Sequence, residues 1–86
     1  MHSLHELGRA VAKRRRDLGL TQVDVARSAG VSSDTLSRFE VGRVTEFGAR
    51  KLLAVLSTLG MEMEFREEGT AGSLDELQLE HRAARR

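Results

Sequence analysis

Between Leu20 and Arg43 the chain reads LTQVDVARSAGVSSDTLSRFEVGR, two short helical patterns on either side of a single glycine. Helices of eight or nine residues are marginal alone in water, so each must bury its apolar side against something. A one-glycine corner then fixes how the two can meet. Thr21 offers the hydroxyl with which an N-cap accepts a hydrogen bond from an orphan amide, and Val25, Ala26 and Ala29 follow on one face. These residues predict a helix from about Thr21 to Ala29. Gly30 stands where a left-handed residue stops a helix, Val31 is placed to plug the corner, and Ser32 opens a second helix whose Leu36 and Phe39 face inward.

Two capped helices meeting at a tight corner make a helix-turn-helix. The stretch resembles the Cro/repressor (XRE-type) helix-turn-helix family, and the likeness runs roughly from Leu4 to Gly60. Thr21, Gln22, Ala26, Gly30, Val31, Ser32, Leu36 and Glu40 all fall where that family has them, with Ala26 small where two helices touch. The resemblance implies a compact all-α, repressor-like domain that binds double-stranded DNA.

The flanking residues support the same architecture. Leu4, Leu7, Val11 and Leu18 recur at helical spacing, Ser3 and Glu6 have the form of a capping box, and Gly19 can end that helix. After Glu40, VGRVTEFG reads as a loop in which Thr45 caps the next helix and Phe47 tucks beneath it. That helix, RKLLAVLSTLG, carries Leu52, Leu53, Val55, Leu56 and Leu59, the widest apolar stripe in the chain, and Gly60 ends it. The fold class predicted is all-α, four or five helices over residues 1–60.

From Met61 the period changes. Met61, Met63 and Phe65 are apolar while Glu62, Glu64 and Arg66 are charged, which is strand alternation. No second segment alternates in this way, and a lone strand leaves its backbone groups unpaired. Residues 61–67 are therefore predicted to be a dimerising strand, pairing antiparallel with a second copy through Met61, Met63 and Phe65. Residues 68–86 open with Gly and Ser and read as a flexible tail, in which Ser73 and Glu76 could cap a short helix bearing Leu74, Leu77 and Leu79.

If Leu36 and Phe39 face inward, Ser33 and Ser37 form one outward row of the second helix and Asp34 and Arg38 the adjacent one. In a helix-turn-helix that helix lies in the major groove, so these four are the predicted base-reading residues. Arg38 can bond the O6 and N7 of one guanine together, worth about 1–3 kcal/mol of discrimination. Asp34 could accept from a cytosine N4, but its charge also suits the start of a helix, the role expected here. The resemblance places Ser33, Asp34 and Arg38 at base-contacting positions and Gln22 at a phosphate-contacting one. Thr21, Arg43 and, from the first helix, Lys13 and Arg16 complete the predicted phosphate set. Val41 departs from the polar residue many relatives carry, thinning that clamp, and Glu40 is expected to pair with an arginine of the first helix.

Charge agrees with a phosphate binder. Residues 1–60 hold ten Lys or Arg against six Asp or Glu, and residues 61–86 hold four against seven, so a head of +4 precedes a tail of −3. The chain has no Cys, which excludes thiolate metal sites and agrees with a reducing cytosol. No run of about 18 apolar residues and no basic start with a long apolar core is present, so a soluble, untargeted protein with no membrane partner is expected, and the family resemblance implies a prokaryotic, cytoplasmic and nucleoid-associated one. His2 and His5 lie three apart with no third ligand at site spacing, and no phosphate loop, nucleophile elbow or HExxH occurs. No catalytic residue, cofactor or metal is predicted.

The order of head, strand and tail is also similar to that of HipB-type antitoxins, through MEMEF at 61–65. That similarity implies a homodimer on a palindromic operator, repression of its own operon, and neutralisation of a kinase-fold, HipA-like toxin. The alternatives are a stand-alone repressor of phage or host type, and a protein-binding module with secondary DNA binding.

Overall fold

The computed structural model describes residues 3–68. Four helices run through them: α1 (Leu4–Asp17), α2 (Gln22–Ala29), α3 (Ser33–Glu40) and α4 (Ala49–Thr58). Three of the four start on a hydroxyl cap. Ser3 Oγ accepts from the Glu6 amide at 3.1 Å, Thr21 Oγ1 from Asp24 at 3.0 Å and Ser32 Oγ from Thr35 at 3.0 Å, each satisfying a donor the helix itself leaves open. The fourth departs from expectation. Gly48, not Thr45, is the N-cap of α4 and gives it no side-chain bond. The start is set instead by Phe47, whose ring stacks on Phe39 with centroids 4.2 Å apart and planes 11° off parallel.

The corner between α2 and α3 is closed as the sequence demands. Gly30 has φ +72°, a left-handed conformation that costs an L-residue with a Cβ roughly 1–2 kcal/mol. The Val31 amide reaches back to the Ala26 carbonyl at 2.9 Å, and Val31 packs against the core. Val11, Val25, Leu36, Phe39, Val55 and Leu59 form the centre of that core, with Ala26, Leu52 and Leu56 around them. α1 packs on α3, α2 on α4, and α2 on α3. Burying Phe39 alone is worth about 1.5–3 kcal/mol relative to leaving it in water.

One close approach was not legible beforehand. Gly8 is buried in the middle of α1, and a Cβ there would run into the Phe39 carbonyl and sit 3.3 Å from the Glu40 Cα. The missing side chain lets α1 lie directly on the backbone of α3.

Several sequence expectations need correction. Leu18 and Leu53 were placed on apolar stripes, yet they are 43% and 53% exposed, because each stripe is wider than the neighbour that covers it. A fifth helix does not occur among the described residues, and residues 61–67 form neither helix nor strand within the single chain. A ladder there would need a second strand. The predicted tail helix, with Ser73, Leu74, Glu76, Leu77 and Leu79, lies outside the described residues, as does His2. Among the described residues no helix is long and apolar enough to cross a membrane.

Candidate nucleic-acid interface

α3 divides cleanly into two faces. Leu36 and Phe39 are fully buried, and Glu40 is 5% exposed at its end. Ser33, Asp34 and Arg38 are exposed on the other side and Ser37 is half-buried. The Asp34 carboxylate meets the Arg38 guanidinium, Oδ2 to Nη2 at 3.2 Å, one turn along the helix. An exposed pair at this spacing contributes only about 0.3–0.5 kcal/mol, so its significance is directional. It leans the arginine along the outward row.

Besides the buried Leu36 and Phe39, a single carboxylate ties the end of α3 to its neighbours. Glu40 accepts from Arg15 twice, from Nε at 2.8 Å and from Nη2 at 2.9 Å, in the forked geometry that guanidinium and carboxylate share. Arg15 Nη1 also donates to the Leu20 carbonyl at 3.0 Å, and Gln22 Nε2 donates to Glu40 Oε1 at 2.9 Å. The Glu40 carboxylate thus ties the end of α3 to α1 and to the first residue of α2, and Arg15 extends the tie to the loop before α2. The hydrogen bond that it donates to Glu40 holds the Arg15 guanidinium above its ordinary pKa, against the opposing effect of burial. The expected partner of Glu40 is therefore found, and it is Arg15. No buried side-chain nitrogen or oxygen among the described residues lacks a hydrogen-bond partner.

The predicted phosphate residues fall into two groups. Gln22 begins α2 with its amide nitrogen committed to Glu40, which aims the side chain and leaves its carbonyl oxygen without a bond among the described residues. Thr21 is exposed, with its hydroxyl oxygen occupied as the cap of α2. On α1, Lys13 and Arg16, the two predicted phosphate residues of this helix, line one shallow hollow together with Arg9, Ala12 and Glu40. Lys13 is spoken for in part. Its ammonium lies 2.8 Å from Asp17 and, mainly through that hydrogen bond, holds the exposed Asp17 carboxyl below its usual range.

Arg43 is exposed in the loop after α3, where it lines a second hollow with Thr35, Arg38 and Lys51. Lys51 was missed by sequence reasoning. It is the third residue of α4, and only the fold shows that this turn stands beside the end of α3. Arg14 was missed as well. Its Nε donates to the Leu59 carbonyl at 3.0 Å, mooring the end of α4 to α1. Met61 is half-buried against the core, whereas Met63 is 40% and Phe65 90% exposed.

Two capped helices, a left-handed glycine corner and an outward polar face beside clustered cations define the class of helix-turn-helix DNA-binding regulators. Residues 6–68 match the family described as "Helix-turn-helix domain", and the chain belongs to that family. No curated protein matches the chain.

Proposed function

We propose that this protein is a sequence-specific, double-stranded-DNA-binding repressor of the XRE type, acting as a homodimer on a palindromic operator. The observation that carries this reading is the split of α3, with Leu36 and Phe39 buried and Ser33, Asp34, Ser37 and Arg38 turned outward beside Arg43. In the major groove such a helix presents its first turn to base edges. Arg38 and Ser33 read bases, with Asp34 and Ser37 alongside. Gln22, Thr21, Arg43, Lys13 and Arg16 hold phosphates and set the register. The protein works by binding in the prokaryotic cytoplasm, at the nucleoid, without catalysis or cofactor.

The regulatory setting proposed is autoregulation, with the protein serving as antitoxin to a HipA-like, kinase-fold toxin. The apolar exposure at Met63 and Phe65 supports the homodimer, and the toxin partner rests on the similarity to HipB-type antitoxins. Sheared DNA from the source organism, captured on tagged protein at two salt concentrations and sequenced, tests both parts. A palindrome near its own promoter beside a kinase-like gene is the expected result. Recovery of no fragment at either salt overturns the repressor, and a palindrome without such a neighbour overturns the antitoxin role alone.

A further inference from the structure

Fourteen residues of the chain are Lys or Arg, yet only two of them are lysines, Lys13 and Lys51. Arginine stays charged at any working pH, whereas a lysine amine can lose its proton and act as a nucleophile, so these two are the basic side chains open to acylation. The fold sets them apart. The Lys13 ammonium donates to the Asp17 carboxylate at 2.8 Å, one turn along α1. Lys51 is exposed and makes no ion pair among the described residues. Its stem runs back along the first turn of α4, the Cδ 3.9 Å from the place that a Cβ on Gly48 would take. That course carries the amine toward the hollow that Lys51 lines with Arg38 and Arg43.

The geometry points to Lys51 as an acylation site that takes its acyl group from a small acyl phosphate and loosens the protein's hold on DNA once modified. Such a donor fits both parts of the hollow. Its phosphate is the kind of dianion that guanidinium groups bind in forked pairs. Arg43 makes no ion pair among the described residues and is its main holder, with Arg38, tied to Asp34 at 3.2 Å, beside it. Glu46 is the one carboxylate lining the hollow, against three cations, so an anion is favoured there. With the phosphate held, the carbonyl carbon comes within reach of the Lys51 amine. The deprotonated amine attacks that carbon, the bond from carbon to the phosphate oxygen breaks, and the phosphate leaves with the electron pair beside the same arginines. Overall an ammonium and an acyl phosphate dianion become an amide, a hydrogen phosphate dianion and one proton released to water. The effect on DNA rests on the repressor reading above. Arg38 and Arg43 put the hollow beside the face proposed for DNA, and an acylated lysine no longer carries the charge that neutralises a phosphate.

Incubating the unaltered protein with acetyl phosphate and following each lysine by peptide mass mapping tests the site. Lys51 is expected to acquire the acetyl group several times faster than Lys13. Arg43→Ala should slow the labelling of Lys51 by roughly threefold or more with acetyl phosphate, and leave its rate unchanged with the N-hydroxysuccinimide ester of acetic acid, which brings no phosphate. Equal labelling of the two lysines by acetyl phosphate, or a Lys51 rate that Arg43→Ala does not change, overturns the site. Protein labelled at Lys51 should bind mixed-sequence duplex DNA about tenfold more weakly at low salt, with the salt slope reduced by about one. Lys51→Arg keeps the charge but offers no acylable amine, so the same treatment should leave its own affinity where it stood. Labelling at Lys51 with no loss of binding overturns the effect on DNA and leaves the acylation site standing. Unlabelled protein that binds no duplex at any salt overturns the repressor reading, and the labelling pattern still decides the site.

Discussion

Removing the Glu40 carboxylate leaves the Arg15 guanidinium enclosed and unpaired, and it also frees the Gln22 amide. Breaking one side of a buried ion pair typically costs about 3–5 kcal/mol, most of it from the charge left behind. Glu40→Ala is therefore expected to lose stability on that scale in urea denaturation. Replacing both partners, Arg15→Met with Glu40→Leu, should recover most of the loss while weakening DNA binding, since Gln22 is no longer aimed. Outside residues behave differently. Arg38→Ala should relax preference at one base pair by about 1–3 kcal/mol, whereas Arg43→Ala should weaken all sequences alike and reduce the salt slope by about one. Binding selections on randomised sites at several salt concentrations separate these outcomes, and equal losses from both variants would refute the assignment. Asp34→Ala should leave the melting temperature nearly unchanged and blur the preference at the Arg38 position, because its contact at 3.2 Å aims the guanidinium rather than supporting the fold.

Among the elements, α1 depends on the one residue that a helix disfavours. Alanine at position 8 would gain up to about 1 kcal/mol in helix propensity, but its Cβ meets the Phe39 carbonyl, which has no flexible side chain's freedom to move. Overpacking of this kind costs about 1–3 kcal/mol. Gly8→Ala is thus expected to destabilise the protein and to shift α3 against α1, with a lower urea midpoint and weaker operator binding. An unchanged midpoint would mean that the two helices part without cost. Helix ends were legible in the sequence because capping is local chemistry: Ser3, Thr21 and Ser32 bond to amides three residues on. Gly48 was not, since the start of α4 is decided by where Phe47 finds Phe39. For the same reason the stripes correctly placed Val11, Val25, Leu36, Val55 and Leu59 but overran at Leu18 and Leu53, whose exposure depends on the width of the opposite helix. The tie between Glu40 and an arginine of α1 was predicted. Which of three consecutive arginines makes it could come only from the tertiary placement of α1.

For the whole molecule, the family match over residues 6–68 covers the head and reaches into the segment that follows it. A two-fold dimer through that segment would present two copies of α3 to half-sites about one helical turn apart, roughly 34–36 Å. Footprinting on the recovered operator should show two protected half-sites with that spacing, and a single protected half-site would contradict it. Phe65→Ala should abolish the paired footprint with little effect on the melting of the head, since that ring touches water over most of its surface.

The two faces of α3 bear on how this protein could change over time. Leu36 and Phe39 anchor the helix, while Ser33, Asp34 and Arg38 are exposed and Ser37 is half-buried outside the core. Mutations at those four positions can therefore accumulate without passing through an unstable ancestor. A duplicated copy of the gene could drift to a new operator through such changes alone, and a designer could rewrite the same four letters while leaving the scaffold as it stands.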